Sequence, residues 1–318
     1  MERYAAGVDV GGTTIKLGLF REEGGLVEKW EIETPKGEAM KDLFRIVTRA
    51  LFEKAAALSI PKEALAAIGM GLPAPVRSDG SIPWCANISL PACVPAKELS
   101  DASGLPSFVA NDANVAALAE AVYGAAKGAE NAVMITLGTG VGGGIIVNGE
   151  IVGGANGVAG EIGHFVVNPD ETERCNCGNR GCLEQYASAT GIVRTAKKIL
   201  AESDRASALR AIKNLTAKDV ADLAKKGDAV AAEAMETFAK TLGLAVSYLI
   251  LTVDPEVVLI GGGVSKAGEY LLDLVKKHTF CNTHIAEKTG EIRLARLGND
   301  AGIYGAAALA FSGLKKEK

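Results

Sequence analysis

Short apolar runs open the chain. YAAGVDV (4–10), IKLGLF (15–20) and LVEKWEIE (26–33) are each of strand length and are separated by glycine turns, so they predict three consecutive strands. The spacing then changes. Leu43, Ile46, Val47, Ala50 and Leu51 recur three and four apart, which predicts a helix over residues 38–58. AAIGMG (66–71) reads as a buried strand, and the proline-rich, polar residues 73–106 read as mostly loop. Phe108-Val109-Ala110 predicts a short strand that runs into Asn111-Asp112, followed by a helix over 113–123.

A second series starts at NAVMITLG (131–138), a strand, followed by the turn TGVGG and the strand GIIVNGE (144–150). Helices are expected through most of residues 184–253, including a long one from about Asp228. EVVLI (256–260) reads as a strand, GGGV as a turn, 265–277 as a helix and 301–311 as a last helix, with a solvated KKEK tail. DVGGTTIKLGLF and TLGTGVGGGIIVNG share one plan: an apolar strand, a glycine- and threonine-rich turn, then a second apolar strand. Two such hairpins in two α/β halves suggest a duplicated domain with a ligand between the copies.

Composition narrows the class. A chain of 318 residues has room for two domains or one large one. A formal net charge of −4 without a basic patch argues against nucleic acid as a partner. The start lacks the long apolar core of a signal peptide, and the apolar run from Leu242 to Val253 is too short to span a bilayer. A cytoplasmic protein with no membrane partner is expected, so clustered cysteines point to metal or catalysis before disulfides.

Candidate chemistry begins at the glycine turns. In Asp9-Val10-Gly11-Gly12-Thr13-Thr14-Ile15-Lys16, glycines allow close approach of backbone to phosphate oxygens. Successive N–H groups form an anion-binding nest, Thr13 and Thr14 add hydroxyls, Lys16 adds charge, and Asp9 can hold Mg²⁺ or its waters. The competing reading is a plain hairpin. The turn is neither a Walker A loop nor a Rossmann fingerprint, because its spacing differs and a strand follows it. A second turn, Gly138-Thr139-Gly140 continuing to Gly144, has more glycine than a hairpin needs. Gly261-Gly262-Gly263 lies between a strand and a helix, where bare backbone suits a flat ring or a phosphate.

DVGGTTIK, NDANVAALAE, LGTGVGGGII, GEIGH and CNCGNRGCLE occur in this order. With these motifs the chain resembles the ROK family of bacterial sugar kinases, most of all its ATP-dependent glucokinases, from about residue 4 to residue 312. GEIGH and CxCGxxGCxE are specific; the glycine turns alone are not. The resemblance implies an α/β protein with the actin-like ATPase (ribonuclease H-like) fold, two α/β domains and an interdomain cleft. The expected small domain comprises residues 1–112 plus 301–318, with the first phosphate turn and Asp112 at its edge. The expected large domain, 113–300, holds the second phosphate turn, the cysteine motif and the adenosine-side glycine turn.

Phosphoryl transfer to an alcohol needs in-line positioning, charge neutralisation and a base for the hydroxyl proton. On residue chemistry alone, Asp112 is first of all a helix N-cap; the resemblance makes it the base. The resemblance also assigns Asn87, Asn111, Asp112, Glu161, His164 and Glu184 to the sugar. Ala86 stands where the family usually has proline, a departure in the loop that carries Asn87. ATP and Mg²⁺ are the implied cofactors, a hexose the implied substrate, and a homodimer or homotetramer the implied assembly.

His164, Cys175, Cys177 and Cys182 match a closed tetrahedral Zn²⁺ site of structural type. A disulfide would strand the third cysteine, and a reactive thiol needs only one; simple buried thiols are the remaining alternative. Cys85, Cys93 and Cys281 read as ordinary small residues. The expected reaction is phosphorylation of a hexose at its 6-hydroxyl, glucose first, with N-acetylmannosamine, fructose, mannose or allose as alternatives. A sugar-responsive transcriptional regulator ranks lower, because the first strand begins at about Tyr4 and no helix-turn-helix precedes it.

Overall fold

The computed structural model describes residues 2–22, 25–85, 87–283 and 290–316. Ala86 and the end of the KKEK tail lie outside them. The chain divides into two compact units: residues 1–128, 144–160 and 299–318 form unit 1, and 129–143 and 161–298 form unit 2.

Unit 1 is built on strands β1 (Tyr4–Val10), β2 (Thr14–Arg21), β3 (Gly25–Glu33), β4 (Leu65–Leu72) and β5 (Ser107–Asn111). Their order is β3-β2-β1-β4-β5, with β1–β2 and β2–β3 antiparallel and β1–β4 and β4–β5 parallel. Helix α1 (Leu43–Ala57) buries Leu43, Val47 and Leu51 in one core with Val8, Leu17 and Met70. It starts later than its apolar periodicity suggests, because residues 37–42 form a 3-10 turn. The expected loop 73–106 contains α2 (Pro95–Ser103), started by a proline at its first turn and ended by Gly104 in the left-handed region. It also contains a small hairpin-like segment with the isolated bridges Ile82–Cys93 and Cys85–Leu90.

On the second core of unit 1 lies α9 (Ala301–Lys316), whose Ile303, Ala307, Ala310 and Phe311 pack on Ala5, Phe20 and Ala67. The approach is close: a Cβ at Gly69 of β4 would overlap the Ala306 carbonyl. Helix α9 runs on into Lys315 and Lys316, so part of the expected tail is helical. Helix α3 (Asp112–Val122) stays in unit 1, on the far side of the boundary expected after residue 112. The reason is packing. Tyr123, which ends α3, meets Tyr304 of α9 edge-on with ring centroids 5.6 Å apart. Residues 144–160 join the same unit through the Lys316–Glu150 ion pair and the bond from Ser78 to the Ala155 carbonyl.

The second sheet has the order β10-β9-β6-β7-β8, from β6 (Ala132–Leu137), β7 (Val141–Val147), β8 (Glu150–Ile151), β9 (Val257–Gly261) and β10 (Glu291–Leu294). Read from β8, it repeats the plan of the first sheet, as the two similar hairpins imply. Helices α4 (Glu184–Ala187), α5 (Ala189–Glu202), α6 (Ala217–Lys225), α7 (Ala229–Val253) and α8 (Glu269–Phe280) belong to unit 2. The apolar run ending at Val253 is the last part of the 25-residue α7, which by length and composition alone suits a bilayer. Its Phe238, Leu242, Val246 and Leu249 are buried, and it packs on α5, α6 and α8. Helix α8 begins at Glu269 and not at 265, because residues 263–267 form a 3-10 turn closed by Gly268 at φ +72°.

Candidate active site and metal centre

The first glycine turn joins β1 to β2. Gly11 N–H bonds the Thr14 carbonyl at 3.0 Å, Thr34 N–H the Thr13 carbonyl at 3.0 Å, and Thr34 Oγ1 the Gly11 carbonyl at 2.6 Å. Three of the turn's carbonyls are therefore satisfied from within unit 1, and Gly12 and Thr13 are exposed. Buried Thr34 is a brace that the sequence did not single out. Asp9 and Lys16 are cross-strand partners. Burial raises the Asp9 pKa, and the Lys16 ammonium opposes that rise. The Asp9 carboxylate lies against the first turn of α9, where a Cβ on Gly302 would overlap it. The Lys16 ammonium donates to the Asn299 carbonyl at 2.8 Å.

At the end of β5, the residue that caps α3 is Asn111. Its Oδ1 accepts the N–H groups of Ala113 at 2.9 Å and Asn114 at 3.3 Å, while its amide reaches the Ala74 carbonyl at 3.5 Å. Asp112 is the first residue of the helix, and its Oδ1 accepts the Ala113 N–H at 2.8 Å. The cap reading of Asp112 is thereby corrected. Asn87 is exposed, two residues beyond Cys85, in the turn closed by the Cys85–Leu90 bridge; its carbonyl would lie 3.8 Å from a Cβ on Gly12. The hairpin-like segment therefore borders the first glycine turn.

In unit 2, His164, Cys175, Cys177 and Cys182 present four ligand atoms that all lie within 4.8 Å of one another. Cys177 and Cys182 Sγ are 3.6 Å apart, and His164 Nδ1 is 3.9 Å from Cys175 Sγ. A disulfide is excluded, since its sulfurs would sit at about 2.05 Å. A tetrahedron with Zn–S bonds of about 2.3 Å has edges of about 3.8 Å, so the spacing fits one cation held by four protein ligands. With no cation, burial pushes the Cys182 thiol up to about 12, and its hydrogen bonds with Cys177 and Cys175 act in the same direction. A cation would relieve that cost by binding the thiolates. His164 turns its Nε2 toward Glu161, 3.9 Å from Oε2. One ring nitrogen thus faces the cysteines and the other a carboxylate, which orients the imidazole of a metal-binding histidine.

Glu184 opens α4 directly after the cysteine motif. Its Oε2 accepts the Val141 N–H at 3.0 Å, and its Oε1 lies 3.9 Å from Cys175 Sγ. The second glycine turn, closed by Gly138 N–H on the Gly140 carbonyl at 3.0 Å, therefore touches the metal loop. Gly138 and Thr139 also line a cavity of about 500 Å³, bordered by Thr216 and Lys218 of the α6 region and by Gly263 and Lys266. Of the Gly261-Gly262-Gly263 turn, Gly261 ends β9, Gly262 bends the chain at φ +82°, and Gly263 alone lines the cavity. The α6 wall escaped the sequence reading. Its only local signal is the capping box between Thr216 and Asp219.

The ROK family sequence profile matches residues 5–312. The chain belongs to the ROK family. It is 44% identical to a glucokinase of Halalkalibacterium halodurans over 310 residues, covering 96% of this chain and 94% of that one. Among solved structures, it is similar to a ROK hexokinase from Thermus thermophilus, with a TM-score of 0.84 and 31% identity over 99% of this chain and 100% of that one. A ROK family glucokinase from Streptomyces griseus, solved with glucose and AMPPNP, aligns with a TM-score of 0.74 and 33% identity over 98% of this chain and 100% of that one. This ROK chain has the actin-like ATPase fold that its motifs imply, with two α/β sheets of one plan.

Proposed function

We propose that this ROK protein is a hexose kinase that transfers the terminal phosphoryl group of ATP to the 6-hydroxyl of glucose. The observation that carries the reading is the second glycine turn in the lining of the unit 2 cavity, beside a Cys₃His cluster whose loop supplies Glu161 and Glu184. Similarity to the Halalkalibacterium halodurans glucokinase over 96% of the chain supports glucose as the acceptor.

Asp112 takes the proton of the attacking hydroxyl. With Asn111 carrying the helix cap, the Asp112 carboxylate is not needed for that duty. A positioned base of this kind accelerates transfer by roughly 10²–10⁴-fold. Asn87, Asn111, Glu161, His164 and Glu184 orient the sugar hydroxyls, carboxylates accepting paired hydrogen bonds and His164 donating from Nε2. The nucleotide lies in the unit 2 cavity, its base and ribose beside Gly263 and α6. Phosphate oxygens are received at the turns of Gly11, Gly12, Thr13 and Thr14 and of Gly138, Thr139 and Gly140, by the threonine hydroxyls and by backbone N–H groups other than the Gly11 and Gly138 N–H groups that close the turns, with Lys16 adding charge. Asp9 would hold Mg²⁺ or its waters, and the ion would supply neutralisation of the phosphate charge. His164, Cys175, Cys177 and Cys182 hold a structural Zn²⁺, which keeps the loop between Glu161 and Glu184 in shape.

A coupled assay over a panel of hexoses, with ATP and Mg²⁺, tests the reading. Glucose is expected to have the highest kcat/KM. A tenfold preference for N-acetylmannosamine or fructose would reassign the acceptor, and no turnover with any sugar would remove the class.

A further inference from the structure

The second glycine turn is held from outside itself, almost entirely by one segment. Glu184 Oε2 accepts the Val141 N–H at 3.0 Å. The Ala189 N–H donates to the Gly138 carbonyl at 2.8 Å. Thr190 Oγ1 donates to the Thr139 carbonyl at 2.8 Å and lies 2.8 Å from Oγ of Ser188, a fully buried residue that caps α5. Every residue from 138 to 141 except Gly140 is thus tied to residues 184–190. Gly140 contributes by having no side chain, since a Cβ there would overlap Glu184 Oε2. Those residues follow directly on Cys182, and Glu184 Oε1 looks back at Cys175.

We propose that Glu184 and Thr190 are positioning residues for the phosphate donor, so that the metal loop sets the nucleotide side of the reaction as well as the sugar side. The inference rests on the kinase reading above. A phosphate nest works by holding N–H groups at fixed spacing, and a flexible glycine turn does not hold that spacing unaided. The clamp supplies the constraint. Its three bonds reach the turn through the Gly138 and Thr139 carbonyls and the Val141 N–H, so the turn is fixed in rotation as well as in position. Glu184 then has two duties, one on the sugar and one on the turn. Thr190 has only the second.

That separation makes the test. AMPPNP-Mg²⁺ binding is measured by calorimetry without sugar, and glucose binding without nucleotide, in the wild type, Thr190→Val, Thr190→Ser and Glu184→Gln. Thr190→Val keeps the shape and removes the hydroxyl. It is expected to weaken AMPPNP binding about fivefold, the worth of one net hydrogen bond, with glucose affinity and zinc content unchanged. Thr190→Ser restores wild-type AMPPNP affinity. Glu184→Gln weakens AMPPNP binding in the absence of sugar, which a purely sugar-binding Glu184 does not predict. Unchanged AMPPNP affinity in Thr190→Val, or equal losses for AMPPNP and glucose, overturns the clamp. A wild type that binds AMPPNP but no hexose fails the kinase reading instead, and the two failures are told apart by the wild-type titrations.

Discussion

Asn111 caps α3 and Asp112 follows it as the first helical residue, so two adjacent polar side chains at one strand end have different duties. Asn111 Oδ1 satisfies two backbone donors of the helix start, at Ala113 and Asn114, while Asp112 Oδ1 accepts from the N–H of its neighbour Ala113. The cap of α3 therefore rests on the first residue, and the proposed base is the second.

Replacing each residue separates the two. Asp112→Asn keeps an oxygen for the Ala113 N–H and leaves the cap intact. The melting temperature is expected to change little, while kcat falls roughly 10²–10⁴-fold. Asn111→Ala is expected to cost about 1 kcal/mol of stability through the lost cap. Thermal unfolding and steady-state kinetics on both variants check this. An Asp112→Asn enzyme with more than a tenth of wild-type kcat would remove Asp112 from the mechanism.

Much of the site was legible because its signals are local. The β1–β2 turn, the β5–α3 junction and the cysteine motif each lie within about ten residues, and each carries its own spacing. Helix α2 was missed because it begins at Pro95 inside a stretch whose composition reads as loop. Strand β10 has four residues, too few to show a period. The unit 2 cavity was only partly visible, because residues near 138, 189, 216–222 and 263–267 meet there through tertiary packing alone. Which of Asn111 and Asp112 is the cap is also not a sequence property, since both residue types cap well and one φ/ψ decides.

Loss of a metal ligand has a local consequence. Cys177 is the exposed member of the cluster, so Cys177→Ala removes a ligand without opening a buried cavity. Zinc content is expected to fall from about one per chain, the loading of a single closed site, toward zero. The melting temperature should drop, and proteolysis should appear within residues 175–182. Elemental analysis, thermal unfolding and mass spectrometry of digests measure the three effects. A wild-type preparation that is fully active and free of zinc, with three titratable thiols in this segment, would end the metal assignment.

A second fastener of the same loop gives a pH dependence. Glu171 accepts hydrogen bonds from the Tyr186 hydroxyl at 2.5 Å and the Glu173 N–H at 3.0 Å, and pairs with Arg194. Burial raises its pKa, but these hydrogen bonds and the Arg194 charge outweigh burial and hold it at about 2. A carboxyl held below its ordinary value of 4.5 adds stability that is full above that pH and is lost as pH falls through about 2. The stability gap between wild type and Glu171→Gln should be constant from neutral pH down to about 5 and close between about 4.5 and 2. Urea unfolding at a series of pH values measures it. A gap that does not change with pH would mean that Glu171 titrates normally in the folded protein.

The final prediction concerns Asp9 and the helix it rests on. Gly302 lies in the first turn of α9, and its missing side chain makes the room that the Asp9 carboxylate occupies. In an ordinary helix, glycine to alanine adds about 1 kcal/mol of helix stability. Here the added methyl overlaps a carboxylate, so Gly302→Ala sets helix propensity against the placement of Asp9. The fold should survive, with thermal stability within a few degrees of wild type, because a short side chain at a sheet end can rotate away. The displaced carboxylate would no longer serve the Mg²⁺–ATP side, and kcat/KM for ATP should fall at least tenfold, about 1.4 kcal/mol of transition-state stabilisation. Raising Mg²⁺ should recover part of the loss. A Gly302→Ala enzyme with wild-type kinetics for ATP would show that the position of Asp9 against α9 is a packing detail and that the cation is held elsewhere.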